Sequence, residues 1–212
     1  MRILASADIH GSMAVYEWLL EAAATHRADV WIVAGDLFAA DFPSGQRRQA
    51  AKILALLRRS PAPVFYLMGN DDSVLLEGDD QHIRLLHGRR ILLGEYSFVG
   101  YHFTPPFAGN VFVKEEPEIA QDLKELAPLI DETTVVVTHS PARGILDQVH
   151  GHSVGSTSLA AMLDRRPFLA HIHGHIHEAF GRAGGHFNVA SAGRRRALLI
   201  DLPSLESRVL QE

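Results

Sequence analysis

Short runs of Val, Ile, Leu and Phe recur along this chain with helix-periodic stretches between them, and that alternation narrows the fold more than any other feature. "RILASAD" reads as a first strand, "SMAVYEWLLEAAATH" as an amphipathic helix with Ser12 as its N-cap, and "DVWIVAGD" as a second strand. A loop through Pro43 leads to a helix over roughly Gln46–Arg58, and "APVFYLMGN" is a third strand. The stretch Asp79–His87 is compatible with one helix, and "RRILLGEYSFVGY" reads as a hairpin turning near Gly94–Glu95. Two prolines make 103–114, "FTPPFAGNVFVK", a loop, and "EEPEIAQDLKELAPLI" opens as a helix N-terminus should, with acidic residues and a proline. "TTVVVTHS" is a strand, 141–155 a glycine-containing loop with Asp147, His150 and His152, and Ser156 or Ser158 opens a short helix. "FLAHIHGH" is another strand, "EAFGRAGGHFNVASAG" a hairpin turning at Gly184–Gly185, and "RRRALLIDL" is expected to close the sheet. Strand–helix alternation followed by hairpins implies a parallel centre with antiparallel additions.

At 212 residues the chain suits one α/β core and is short for two, so a single domain over 1–212 is expected. The 47% apolar and 21% charged composition is ordinary for a globular protein. With no cysteine, disulfides, zinc–thiolate sites and a cysteine nucleophile are excluded. "MRILASADIHGS" is too short in its apolar run for a signal peptide or a membrane span, which makes a cytoplasmic protein the default and leaves no membrane partner expected. The formal net charge of −5 lacks the broad basic field of a general nucleic-acid binder. Arginine clusters such as Arg194 to Arg196 read first as solvated turns, with a phosphate-facing role as the sharper alternative because they follow a glycine.

Chemistry concentrates where the strands stop. "ILASA" runs into Asp8 and His10, "VWIVAG" into Asp36, "VFYLMG" into Asn70 and Asp71, "TVVVT" into His139, and "LAHIHG" into His175 and His177. Carboxyl ends of parallel strands gather at one edge, where open α/β sheets place their ligand sites. Taken singly, Asp8-x-His10-Gly11, Gly35-Asp36 and Gly69-Asn70-Asp71 are each most simply turns. Jointly, the turn explanation needs five coincidences and a metal site needs one. Asp8, Asp36 and Asn70 offer oxygens, and His10, His139, His175 and His177 offer nitrogens. Such a thiolate-free set suits manganese, iron or zinc. Seven ligands suit two ions sharing a bridging carboxylate, the arrangement that clamps attacking and leaving oxygens in phosphoryl transfer.

The ordered motifs "DIHG" at 8–11, "GD" at 35–36, "GNDD" at 69–72, "THS" at 138–140 and "GHIH" at 174–177 resemble those of the calcineurin-like metallophosphoesterases. "THSPARGILD", "GHSVGS" and "GHIHEAFG" are similar, more narrowly, to the small bacterial and archaeal phosphoesterases described as Icc-related. The resemblance implies a four-layer α/β/β/α sandwich of mixed sheets with a dinuclear metal site at the carboxyl ends of its strands. It further implies that Asp8, His10, Asp36 and His177 hold one metal and that Asp36, Asn70, His139 and His175 hold the second, with a metal-bridging water as nucleophile. Many family members carry histidine directly after the asparagine; Asp71 stands there instead. A carboxylate near phosphate is repelled unless protonated or turned away, so Asp71 is expected to fix the loop, and His152 in "GHSVGS" is the preferred candidate for the missing catalytic role, a surface loop histidine being the alternative.

The reaction expected is hydrolysis of a small phosphodiester, such as a cyclic nucleotide. A phosphomonoesterase, a nucleotide pyrophosphatase of the same chemistry and a catalytically weak binding scaffold are the alternatives. Phe103, Phe107 and Phe112 either stack a base beside the pocket or pin the loop to the body. In "AHIHGHIHEA", His171 and His173 alternate on one strand face before Gly174 and read as structural, His173 being the nearer to the site, while His175 and His177 beyond it read as ligands. Oligomeric state is not legible.

Overall fold

β-branched and aromatic runs take up strands because their side chains pack on a pleated surface, and the turn residues between them set where each strand ends. The computed structural model describes residues 1–39, 43–108 and 111–212. Residues 40–42, in the loop expected to run through Pro43, and residues 109 and 110, in the loop expected over 103–114, lie outside the described residues.

In chain order the elements are β1 (Arg2–Ser6), α1 (Met13–Thr25), β2 (Val30–Ala34), α2 (Pro43–Leu57), β3 (Val64–Leu67), β4 (Ile83–Leu85), β5 (Arg90–Leu93) and β6 (Tyr96–Tyr101). There follow α3 (Glu116–Leu126), β7 (Thr134–Thr138), β8 (Gln148–Val149), β9 (His152–Ser153), α4 (Thr157–Leu163) and β10 (Ala170–His173). The last strands are β11 (Gly181–Ala183), β12 (His186–Asn188), β13 (Arg196–Asp201) and β14 (Glu206–Gln211).

One six-stranded sheet runs β14-β13-β1-β2-β3-β4 and the other β11-β12-β10-β7-β6-β5. In the first, β1 to β4 are parallel, with β13 and β14 added antiparallel. In the second, β6, β7, β10 and β12 are parallel, with β5 and β11 added antiparallel. The parallel centre with antiparallel additions thus occurs twice, once per sheet.

Side-chain alternation sorts the core into three layers. Ile3, Ala5, Ile32, Phe65, Val137, Ile172 and Phe187 fill the space between the sheets. Their strand neighbours Leu4, Trp31, Val33 and Tyr66 face outward onto Tyr16, Leu19, Ile53 and Leu57 of α1 and α2. On the far side Val99, Tyr101 and Val136 pack on Ile119, Leu123, Leu159 and Met162 of α3 and α4. The result is the α/β/β/α sandwich. Because both faces of β1 and β2 are covered, these strands are buried almost continuously rather than at alternate positions.

Several expectations are corrected, and the loop expected over 141–155 carries the short hairpin of β8 and β9. Asp79–His87 is not a helix: Asp80 Oδ1 accepts the backbone N–H groups of His82 and Ile83, at 2.7 and 2.9 Å, which draws both donors away from a helical ladder. Residues 83–85 instead extend the sheet as β4, paired in parallel with β3. Nor does β13 close its sheet, since β14 lies outside it with a run that is mostly exposed and mixed in charge, "ESRVLQ". Helix α2 begins at Pro43 rather than near Gln46, and a proline is tolerated at the first helical position because its missing N–H would be unpaired there. Ser12 occupies the N-cap of α1 without a side-chain hydrogen bond, whereas Ser156 caps α4 by accepting from Leu159 N–H. Among the described residues no helix is long and apolar enough to cross a membrane.

Candidate metal centre

Parallel pairing of β1 with β2 and of β2 with β3 brings the loops after them to one edge. There the backbones are tied together: Asp8 N–H donates to Gly35 O at 2.9 Å and His10 N–H to Asp36 O at 3.0 Å. The second sheet meets this edge through His175, whose N–H donates to Asp8 Oδ2 at 2.9 Å, while within that second sheet Gly174 N–H ties the end of β10 to His139 O at 3.2 Å. Asp8, His10, Asp36 and His175 all adopt positive φ, between 50° and 70°. That conformation is strained for residues other than glycine, and four together mark a constrained site.

The glycines of the motifs make room. A Cβ on Gly35 would stand 2.3 Å from His139 Nδ1, and one on Gly174 would stand 2.4 Å from Asp8 Oδ2. These two glycines are therefore needed because a side chain presented by another strand crosses each of them, a reason beyond turn formation.

The side chains converge tightly. Asp8, His10 and His177 place one ligand atom each within 4.8 Å of one another, as do Asp8, Asp36 and His139, and also His10, Asp36 and Asp71. His177 Nε2 lies 3.4 Å from Asp8 Oδ1 and 3.3 Å from His10 Nε2. His139 Nδ1–H donates to Ala34 O at 2.8 Å, a carbonyl that can only accept. Its Nε2 therefore faces Asn70 Oδ1 at 2.8 Å and Asp36 Oδ2 at 3.5 Å. His175 stands outside those three groups, its ring 5.1 Å from that of His139, and its buried Nε2 has no hydrogen-bond partner among the described residues.

Electrostatics favour a cation here. Burial lowers His139, but the Asp36 and Asp8 carboxylates outweigh it and raise the imidazole to about 10. Burial raises Asp36, and His139 with the Asp71 N–H overcomes that, holding the carboxyl below the ordinary range. Burial and the charge of His139 lower His175 to about 4, which leaves it neutral with a free lone pair, the form that binds metals. A buried nitrogen without a partner, carboxylates held ionised and imidazoles facing them form a donor set that fits divalent cations.

Asp71, a doubtful substitute for the histidine absent after Asn70, and His152, the preferred candidate for that role, lie differently. Asp71 joins the cluster, its Oδ1 accepting from Asn70 Nδ2 at 3.1 Å and its Oδ2 lying 3.8 Å from His10 Nδ1. His152 is exposed on β9, in a two-strand hairpin with β8 that sits beside the 3₁₀ turn His177–Ala179. Among the described residues no hydrogen bond or ion pair links the His152 side chain to the cluster. The arginines separate as well. Arg195 pairs with Glu212, and Arg196 turns inward, donating to Ala190 O and, at 2.8 Å, to His177 O. Of the loop phenylalanines, Phe107 is 46% exposed with its ring 5.8 Å from that of His175, while Phe103 and Phe112 pack around His102.

Two organising residues escape a reading of strand ends. Asp72 is fully buried and accepts from Leu37, Phe38 and Gly69 N–H groups, joining the loops that present Asp36 and Asn70. Asn188 holds the GHIH segment by donating to Ile176 O at 2.8 Å. The doubled acid of "GNDD" was the available signal for Asp72; nothing marked Asn188.

Comparison with known proteins agrees with this geometry. Residues 1–179 match the family of calcineurin-like phosphoesterases. A curated relative, UPF0046 protein K07C11.7 of Caenorhabditis elegans, is 28% identical over 102 residues, 47% of this chain and 33% of its own length. The chain therefore spans about a third of that relative. TT1561 of Thermus thermophilus has the same fold, at 17% identity and a TM-score of 0.77 over 99% of this chain and 98% of its own. A dimetal phosphatase from Danio rerio also shares it, at 12% identity and a TM-score of 0.60 over 100% of this chain and 98% of its own. With the family matched over most of its length and the family's motifs gathered at one sheet edge, this chain belongs to the calcineurin-like phosphoesterases.

Proposed function

We propose that the protein is a dinuclear-metal-dependent phosphoesterase acting on a small phosphodiester. In this reading Asp8, His10, Asp36 and His177 hold one ion, and Asp36, Asn70, His139 and His175 hold the other, with manganese, iron or zinc as the metals. Two such cations supply Lewis-acid neutralisation of phosphoryl charge and acidify water as a nucleophile. The observation that carries the reading is the meeting of these donors at one edge, with His175 Nε2 buried and without a partner among the described residues.

The chain's own residues prepare that site. The His175 N–H orients the Asp8 carboxylate, and the Asp71 N–H, 2.9 Å from Asp36 Oδ1, leaves Asp36 Oδ2 turned towards His139. Arg196 fixes the carbonyl of His177 and so the start of the turn that carries its ring. Asp71, with its side chain 28% exposed, adds negative charge at the mouth of the cluster. A phosphomonoester carries a charge of about −1.5 to −2 near neutral pH, and a diester carries one charge, so Asp71 opposes the monoester more. That asymmetry supports the diester.

The test is metal analysis of the purified protein together with manganese-dependent hydrolysis of bis-p-nitrophenyl phosphate and p-nitrophenyl phosphate. Bound metal and faster diester turnover are expected, with both lost in His177→Ala. Faster monoester turnover would replace the diester with a monoester. No metal and no turnover with any divalent ion would leave a binding scaffold instead.

A further inference from the structure

His171 is fully buried on β10, facing away from the inter-sheet core that its neighbour Ile172 joins. A buried imidazole costs free energy that an aliphatic side chain there would not. For a neutral imidazole its hydrogen bonds admit one consistent assignment. Thr138 Oγ1 has a single proton and lies against Ser140 O, which can only accept, so Thr138 donates there. The 2.8 Å contact between His171 Nε2 and Thr138 Oγ1 then needs the proton on His171 Nε2. His171 Nδ1 is left as an acceptor, and the 3.0 Å contact with His186 Nδ1 makes His186 the donor. Every group in the chain His186–His171–Thr138–Ser140 is satisfied by this one arrangement.

The network ends on the two residues that flank His139. Thr138 closes a hydroxyl-to-carbonyl clamp over His139 at the end of β7, where the His139 ring must reach Ala34 O with one nitrogen and Asn70 with the other. The backbone of His139 is held besides by Tyr101 O and Gly174 N–H. Among the described residues His173, one alternation nearer the site, makes no comparable link: Nδ1 lies 3.3 Å from the carbonyl of its neighbour Gly174, and Nε2 has no partner. We propose that His171 is a positioning residue that acts through Thr138 to orient His139 for metal binding. This rests on His139 being a ligand, as proposed above.

Two measurements separate that dependence. Imidazole nitrogen NMR of the metal-free protein should show His171 as the Nε2–H tautomer at neutral pH; the Nδ1–H tautomer would overturn the network whether or not metal binds. Manganese affinity should fall about 10–100-fold, the usual cost of losing a group that orients a ligand, in both Thr138→Val and His171→Leu. His171→Gln, which returns an N–H to Thr138, should recover most of it, and the double variant Thr138→Val/His171→Leu should be no worse than either alone. Should His171→Leu fail to fold, Thr138→Val carries the test, because it removes the hydroxyl and keeps the shape. Unchanged manganese affinity in Thr138→Val, with metal-free thermal stability reduced, would make the network structural only and overturn the proposal. A wild-type protein that binds no manganese would instead overturn the reading of the metal centre, with the tautomer result standing apart from it.

Discussion

At the scale of single residues, the side chains that gather at the site were legible from where the apolar runs stop. Carboxylates, an amide and imidazoles at five strand ends converge because parallel strands share an edge. Their supports were not legible, since a side chain's direction beyond a strand end follows no period. Nothing in the alternation of His171 and His173 distinguishes the one that reaches Thr138 from the one left without a partner. Arg196 likewise directs its charge at His177 O and Ala190 O rather than at a phosphate-facing surface. Asp71 is the residue whose consequence is easiest to isolate. Burial and the neighbouring Asp36 raise its carboxyl, against the opposing influence of His10 and His139. Asp71→Asn keeps an acceptor for Asn70 Nδ2 and removes the charge. Its expected effect is a rise in monoester over diester kcat/KM of about 5-fold, on the basis of roughly 1 kcal/mol for one added charge at a partly solvated site. Parallel assays of the two p-nitrophenyl substrates measure the ratio; a ratio unchanged from wild type removes Asp71 from substrate choice.

At the scale of elements, every strong apolar run formed a strand, and the two hairpins turn where their glycines stand, Leu93 pairing with Tyr96 and Ala183 with His186. Apart from the short β8–β9 hairpin inside the expected loop 141–155, the elements that differ from the sequence reading lie at sheet edges. β4 has too few residues for a period of two to separate from a helical one, and β14 alternates charge over mostly exposed positions. In each case partner strands decide the outcome, and a single segment carries no record of them. For β4 the local determinant is Asp80, which draws the His82 and Ile83 amides into a turn and so starts the strand at the right register against Val64. Asp80→Ala should therefore lower the urea midpoint and raise amide exchange at Leu85 and Leu86, whereas Asp80→Asn, retaining Oδ1, should restore both. Equal loss in the two variants would assign the effect to the Arg58–Asp80 ion pair instead.

At the scale of the whole molecule, the apolar runs imply a parallel centre with antiparallel additions, but not that two such sheets stack face to face. That arrangement followed from the family resemblance. The stacking leaves several histidines inside helix-covered faces, outside the proposed ligand set, and this gives the protein a pH dependence of its own. His87 and His102 lie stacked with ring centroids 3.5 Å apart and planes within 4°. Burial lowers His87 to about 4, the charges of Lys114 and Arg89 adding to it against Asp122. Burial lowers His102 to about 2, and His87 and His139 add to that. Burial, with His173 and His186, also holds His171 well below its ordinary value. A histidine whose folded pKa is depressed is neutral in the native state and binds a proton on unfolding once the pH drops below about 6.5. Its contribution is thus intact above that pH and is lost as the pH falls towards the folded value. The expected result is a thermal midpoint of the metal-free protein, held in chelator, that declines steadily between about pH 6.5 and 4. His87→Phe, which retains a ring against His102 without a titrating group, should flatten that decline. A midpoint level down to the carboxylate range and falling only there would mean that these histidines protonate without unfolding the sandwich, and that its acid stability is set by its carboxylates alone.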